Sequence, residues 1–150
     1  MTEKSEFDAD QWERIATAPA IAAMYVITAE RGGTLRESMA VGKAYAEARK
    51  STTGSPLLDE IVAGLGSVSP DRFGSEDEFK AAATDRVREA KETLAAKADE
   101  SDVVAYREFI LAVAQRVAEA DKSGGFLGMG GERVTAAETA AIEEIRAALN

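Results

Sequence analysis

Apolar side chains recur in this chain at intervals of three and four, and that spacing constrains the fold more than any other feature. In the segment opened by Asp102, the residues Val103, Tyr106, Ile110, Val113, Val117 and Ala120 follow one another at three, four, three, four and three, with Phe109 alongside. Phe79, Ala83, Val87, Ala90 and Leu94 repeat the pattern at four, four, three and four, while Asp85, Arg86, Arg88, Lys91 and Glu92 occupy the other faces. A helix turns once in about 3.6 residues, so each series is one stripe along a helix. Alternating β-branched runs are absent. The expectation is an all-α, single-domain bundle of six or seven helices, with a pseudo-repeat of helical halves left open.

The stop and start residues divide the chain. Asp8 and Gln11 form a capping pair, and Phe7 and Trp12 flank it as an apolar staple. Pro19 predicts a break near Ala18, because the residue before a proline avoids helical geometry. A second helix then runs from Pro19 to about Glu30, apolar on all sides and therefore central. Gly32 and Gly33 end it, and Thr34 with Glu37 opens a third helix to about Lys50. Ser55 caps and Pro56 leads a short fourth helix to about Leu65. Ser75 with Glu78 and Thr135 with Glu138 open two further helices. The long helices near 76–98 and 102–121 are expected to pack antiparallel. The expected core is Trp12, Ile15, Met24, Val26, Phe79, Val87, Leu94, Tyr106, Ile110, Val113, Val117, Ile142 and Ile145. Residues 1–7 are read as a flexible N-terminus and 8–150 as one helical domain.

Charge narrows the function classes. Lys and Arg total 18 against 27 Asp and Glu, for a net charge of -9. That sign opposes nucleic acid and anionic membrane surfaces, both of which demand basic faces. The longest uncharged run, Ile15 to Ala29, is too short to span a bilayer and carries Pro19. Glu3, Glu6, Asp8 and Asp10 make the start acidic, unlike a secretory signal. No cysteine is present, which fits a cytoplasmic location. No histidine is present either, which removes the commonest general base.

The segment from Ser123 to Gly131 is the most unusual in composition: Gly124, Gly125, Gly128, Gly130 and Gly131 surround Phe126, Leu127 and Met129. It lacks the Gly-Lys-Ser/Thr of a phosphate loop. Apolar residues among glycines suit either a connector folded back on the helices or a contact surface for a protein partner. On calcium-loop spacing, Asp121, Ser123, Gly125 and Glu132 take positions one, three, five and twelve, which leaves only two carboxylates. The acid pairs elsewhere, among them Asp59-Glu60, Asp99 to Asp102 and Glu143-Glu144, are expected to be solvated faces.

The stretch Val113 to Asp121, a glycine-rich insertion, and Val134 to Ile142 together resemble the tellurite-resistance TerB-like family. That family joins an Ala-rich helix ending in Ala-Asp-Gly to a helix opening on a capped Glu. The chain departs from it by the insertion between Asp121 and Thr135. Ala29 to Glu37, with its own helix end, glycines and Thr-x-x-Glu restart, echoes the later segment. The resemblance implies an all-helical domain with an acidic cation site near Asp121 and Glu138. With Glu132 added, these residues are the candidate ligands for a divalent cation such as calcium.

The leading expectation is a non-enzymatic protein that acts through protein contact, with Phe126, Leu127 and Met129 at the surface it offers. The alternatives are a TerB-like cation-binding stress protein and a small enzyme using carboxylate, Lys or Tyr chemistry. No cofactor, no catalytic residue and no nucleic-acid partner is expected. A homodimer through the 103–120 seam stays open.

Overall fold

Pro19 does not end a helix. In a computed structural model, which describes residues 2–29, 36–51, 55–63, 76–123 and 136–150, the chain runs in one helix, α1, from Ala9 to Ala29 with Pro19 inside it. Proline has no N–H to donate to the carbonyl four residues back, so the Ile15 carbonyl is left without its helical partner. The buried Tyr106 hydroxyl donates to that carbonyl at 2.7 Å. Residues 18–23 around the proline are all buried. Burial and a substitute donor together override the local preference that predicted a break.

The other helices are α2 (Arg36–Ser51), α3 (Pro56–Ala63), α4 (Glu76–Ala95), α5 (Glu100–Ser123) and α6 (Ala136–Leu149), preceded by a 3-10 turn over Lys4–Glu6. There are thus six α-helices, and no strand occurs, among the described residues. The start of α1 is as read: Asp8 Oδ1 accepts from the Gln11 N–H at 2.8 Å, and Gln11 Oε1 accepts from the Asp8 N–H at 3.1 Å. The Phe7 and Trp12 rings meet at 6.4 Å. The caps expected from Thr34, Ser75 and Thr135 lie outside the described residues. No described helix is long and apolar enough to cross a membrane.

Helix α1 is central, as the apolar residues on all sides of its second half, from Pro19 onward, predict. It packs most extensively on α4, then on α5, and also meets α6 and α2. The second major pairing is α2 on α5. Helices α4 and α5 do touch, but each has a larger partner, so the expected α4–α5 pair is not the organising unit. Small side chains permit this crowding. Ala18, Ala22 and Ala23 of α1, Ala83 and Ala90 of α4, and Ala48 of α2 are fully buried, and short side chains let helix axes approach.

The α4 stripe is buried throughout, from Phe79 to Leu94. On α5, Tyr106, Phe109, Ile110, Val113 and Val117 are buried within the single chain. Val103, expected at the head of that stripe, is only half-buried. The α6 face of Ala141, Ile142, Ile145 and Leu149 is buried as read. Of the expected core, Trp12 and Met24 are half-buried and pack against its edge; the rest lie inside it. A second cluster closes the far end, where Val26, Ala114, Ala118, Ala141 and Ile142 join α1, α5 and α6.

If Tyr106 replaces the missing proline amide, its loss matters only while the proline is there. Tyr106→Phe should destabilise the fold by about 1–3 kcal/mol, the range for an unsatisfied buried polar group. In a Pro19→Ala background, the backbone at position 19 regains its N–H and the same change should be markedly milder. Urea unfolding of the four proteins measures the coupling; strictly additive effects would refute the replacement.

Candidate functional site

The polar contacts of the described structure concentrate where its N-terminal residues meet the first turns of α1, α3 and α5. Asp102 is the focus. It lies in the first turn of α5, four residues before Tyr106 and on the continuation of the same buried stripe, and only 7% of it is exposed. Its Oδ2 accepts from the Thr2 N–H at 2.9 Å and its Oδ1 from the Ser55 hydroxyl at 2.9 Å. Burial alone would push this carboxyl up. The hydrogen bonds from Thr2 and Ser55 outweigh burial and hold it below the ordinary carboxylate range. The expectation that the acids of 99–102 form a solvated face is corrected here for Asp102. Ser55 does precede Pro56 at the start of α3, but its hydroxyl is turned to Asp102.

Around this anchor the N-terminal residues are tied down repeatedly. Thr2 Oγ1 accepts from the Asp99 N–H at 3.2 Å. The Lys4 N–H donates to Glu60 Oε2 at 3.1 Å. Lys97 Nζ donates to the Glu6 carbonyl at 2.8 Å and to Gln11 Oε1 at 3.1 Å, and lies 5.6 Å from the centre of the Phe7 ring. Phe7 is itself buried. Beside this corner opens a groove of about 630 Å³ lined by Glu3, Lys4, Ser5, Phe7, Asp8, Ala9, Trp12 and Glu60. The Lys4 ammonium stands 5.4 Å from the centre of the Trp12 ring.

Two tyrosines form a second polar cluster inside the core. Burial pushes the hydroxyl of Tyr106 well above its ordinary range, helped by the neighbouring Tyr45, and burial pushes Tyr45 up likewise. Both stay protonated, so neither is a base or nucleophile as placed. The Tyr45 ring meets Phe109 edge to face at 5.5 Å, which seats α2 on α5. Its hydroxyl lies beside the Ala20 backbone, out of hydrogen-bond geometry. Other acids are engaged in pairs: Arg49 reaches Asp59 at 2.6 Å and lowers its carboxyl, and Arg146 meets Glu143 at 3.4 Å. The Tyr25 hydroxyl donates to Glu144, tying α1 to α6.

The residues singled out from sequence fall mostly elsewhere. Asp121 belongs to the last turn of α5, and its side chain is outside the described set. Glu132, Phe126, Leu127 and Met129 lie outside the described residues altogether. Glu138 is in the first turn of α6 and is buried. Among the described residues no three acidic, His or Cys side chains are grouped to hold a metal. Sequence reasoning missed Asp102 as an anchor. The signal was available in its position four residues before Tyr106. Thr2 and Ser55, its partners, carry no such mark.

No family model, no curated protein and no solved structure matches the chain.

The Asp102 carboxyl is lowered on folding, so its contribution is present above the ordinary carboxylate pKa and is lost as pH falls through the lower folded value. Asp102→Asn should reduce stability at neutral pH by about 1–3 kcal/mol. The gap between wild type and variant should begin to narrow below about pH 4 and shrink further as pH falls through the lower folded value. Thermal unfolding across this range checks it, and a gap independent of pH would contradict the ionised anchor.

Proposed function

We propose that this chain is a non-enzymatic interaction module: an acidic helical body that offers the glycine-rich segment 123–131 to a protein partner. One observation carries the reading. The body buries its apolar side chains so fully that, among the described residues, Val104 is the one large hydrophobic left exposed. Lone surface hydrophobics are ordinary and do not make a recognition patch. Phe126, Leu127 and Met129 are three large apolar residues in a run whose glycines permit unusual backbone geometry. Such a run suits recognition better than it suits a helix. The best-anchored polar groups also favour a structural body. Asp102, Tyr106 and Ser55 are committed to holding helices together.

The test compares the intact chain with a variant in which Phe126, Leu127 and Met129 are all serine. Crosslinking in cells should recover a defined partner with the intact chain and lose it with the variant. The variant's melting temperature should stay close to that of the wild type, as expected for substitutions away from a core. A variant that unfolds, or one that keeps the same partner, contradicts the contact surface.

A second reading, a divalent-cation site of TerB-like character using Asp121, Glu132 and Glu138, is supported by the resemblance of the stretches 113–121 and 134–142 to that family. A cation bound only to the folded chain raises the melting temperature by linkage. Calorimetry and melting with calcium, magnesium and manganese should then show heat and a rise that Glu138→Gln abolishes. Silence with all three ions removes this reading.

A further inference from the structure

The groove beside Trp12 is rimmed by three carboxylates, those of Glu3, Asp8 and Glu60, against one cation, Lys4. Each acid already accepts one hydrogen bond, from Ser5, Gln11 and Lys4 respectively. None is in an ion pair among the described residues. Lys4 is not drawn onto any of them; its ammonium stands over the Trp12 ring instead. Trp12 is half-buried, so one part of its ring is fixed against the core while another faces the groove.

We infer that this groove is a docking site for a basic, arginine-bearing segment of a partner protein, and that Lys4 is the chain's own placeholder on the aromatic face. Charge complementarity argues for this occupant. The rim is net negative on a chain whose overall charge is -9, so the field draws cationic segments and repels acidic ones. The aromatic face selects within that class. A guanidinium stacks flat on an indole while its N–H fork reaches a carboxylate, a combination a compact ammonium matches poorly. An exposed cation–ring contact is weak, and Lys4 has no ion pair among the described residues to hold its side chain in place. An incoming arginine therefore displaces it readily and gains the acids that Lys4 leaves unpaired. The groove's lining includes no residue of the segment 123–131, and the inference does not depend on the function proposed for that segment.

Trp12 is the chain's single tryptophan, so its fluorescence reports this groove alone. The full chain is titrated with a peptide of alternating arginine and glycine, and with the same peptide carrying neutral citrulline. The arginine peptide should give a saturable change in Trp12 emission that disappears at about 1 M salt, where screening acts within ~3 Å. Citrulline should give none. Lys4→Met should tighten binding, and the double change Glu3→Gln, Glu60→Gln should weaken it, each by roughly two- to fivefold, the scale of an exposed charge contact. Circular dichroism of each variant separates loss of binding from loss of fold. The serine variant of Phe126, Leu127 and Met129 should titrate like the wild type. An equal response to citrulline, no saturable change in either wild type or Lys4→Met, or a response that vanishes in the serine variant would each overturn the proposal.

Discussion

A proline in the middle of the central helix obliges the rest of the molecule to supply a donor. Pro19 leaves the Ile15 carbonyl unpartnered at the centre of the bundle, where no helical amide can reach it. Tyr106 closes that gap from α5 across 91 positions of sequence. The contact does more than satisfy one oxygen. A hydroxyl at the end of a rigid ring has a fixed reach, so it sets both the height and the rotation of α5 against α1. With α5 placed, the edge-to-face contact of Phe109 with Tyr45 places α2. The buried alanines of α1 let α4 pack closely on it.

Against this arrangement, the parts of the fold that were legible in sequence are the ones set by local rules. The stripes of α4 and α6 and the Phe7–Asp8–Gln11–Trp12 start of α1 need only residues within a turn or two of one another. They emerge as read. The break at Pro19 fails as an expectation because the rule against helix before proline is local, while its remedy lies on another helix. Asp102 fails similarly. In the run Asp99 to Asp102 it resembles a solvated acid, and only its spacing from Tyr106 puts it on the buried face. Its partners, Thr2 and Ser55, become visible only once the chain is folded. Of the site residues named from sequence, Glu138 is seen buried on α6, a position its neighbours Ala141, Ile142 and Ile145 imply. Asp121 and Glu132 rest on calcium-loop spacing and on the family resemblance, and the apolar trio of 123–131 rests on composition, because no periodicity governs a glycine-rich segment.

The corner held by Asp102 links the two kinds of constraint. A carboxylate kept ionised while buried demands donors, and it draws them from the N-terminal residues and from the start of α3. Pinning Thr2 brings Lys4 and Phe7 down beside Trp12, and pinning Ser55 fixes the start of the helix that carries Glu60. Residues next in sequence to the groove's lining are thus held by a buried charge that is not itself part of that lining. A charge satisfied in this way is strong where it is intact and strongly destabilising where one partner is removed. The groove's shape therefore depends on contacts that lie outside its own lining.

Charge and apolar contact divide the work of recognition in the functions proposed. An acidic exterior acts at a distance and mainly accelerates encounter with basic partners, an effect that salt screens away. Apolar contact acts only after encounter, slows dissociation and is little affected by salt. Among the described residues, where most large hydrophobic side chains are buried or half-buried, there are few ways to achieve the second. Among the described residues Val104 stands alone at the surface, and Trp12 is half-covered at the edge of the core. If the segment 123–131 supplies the durable apolar contact and the Trp12 groove the steering one, a single partner that engages both gains from each tether holding the other near its site. A partner that engages only the groove would exchange rapidly and respond steeply to ionic strength. The two surfaces then predict different lifetimes for the same chain, set by whether a basic segment and an apolar pocket occur on one partner at a compatible spacing.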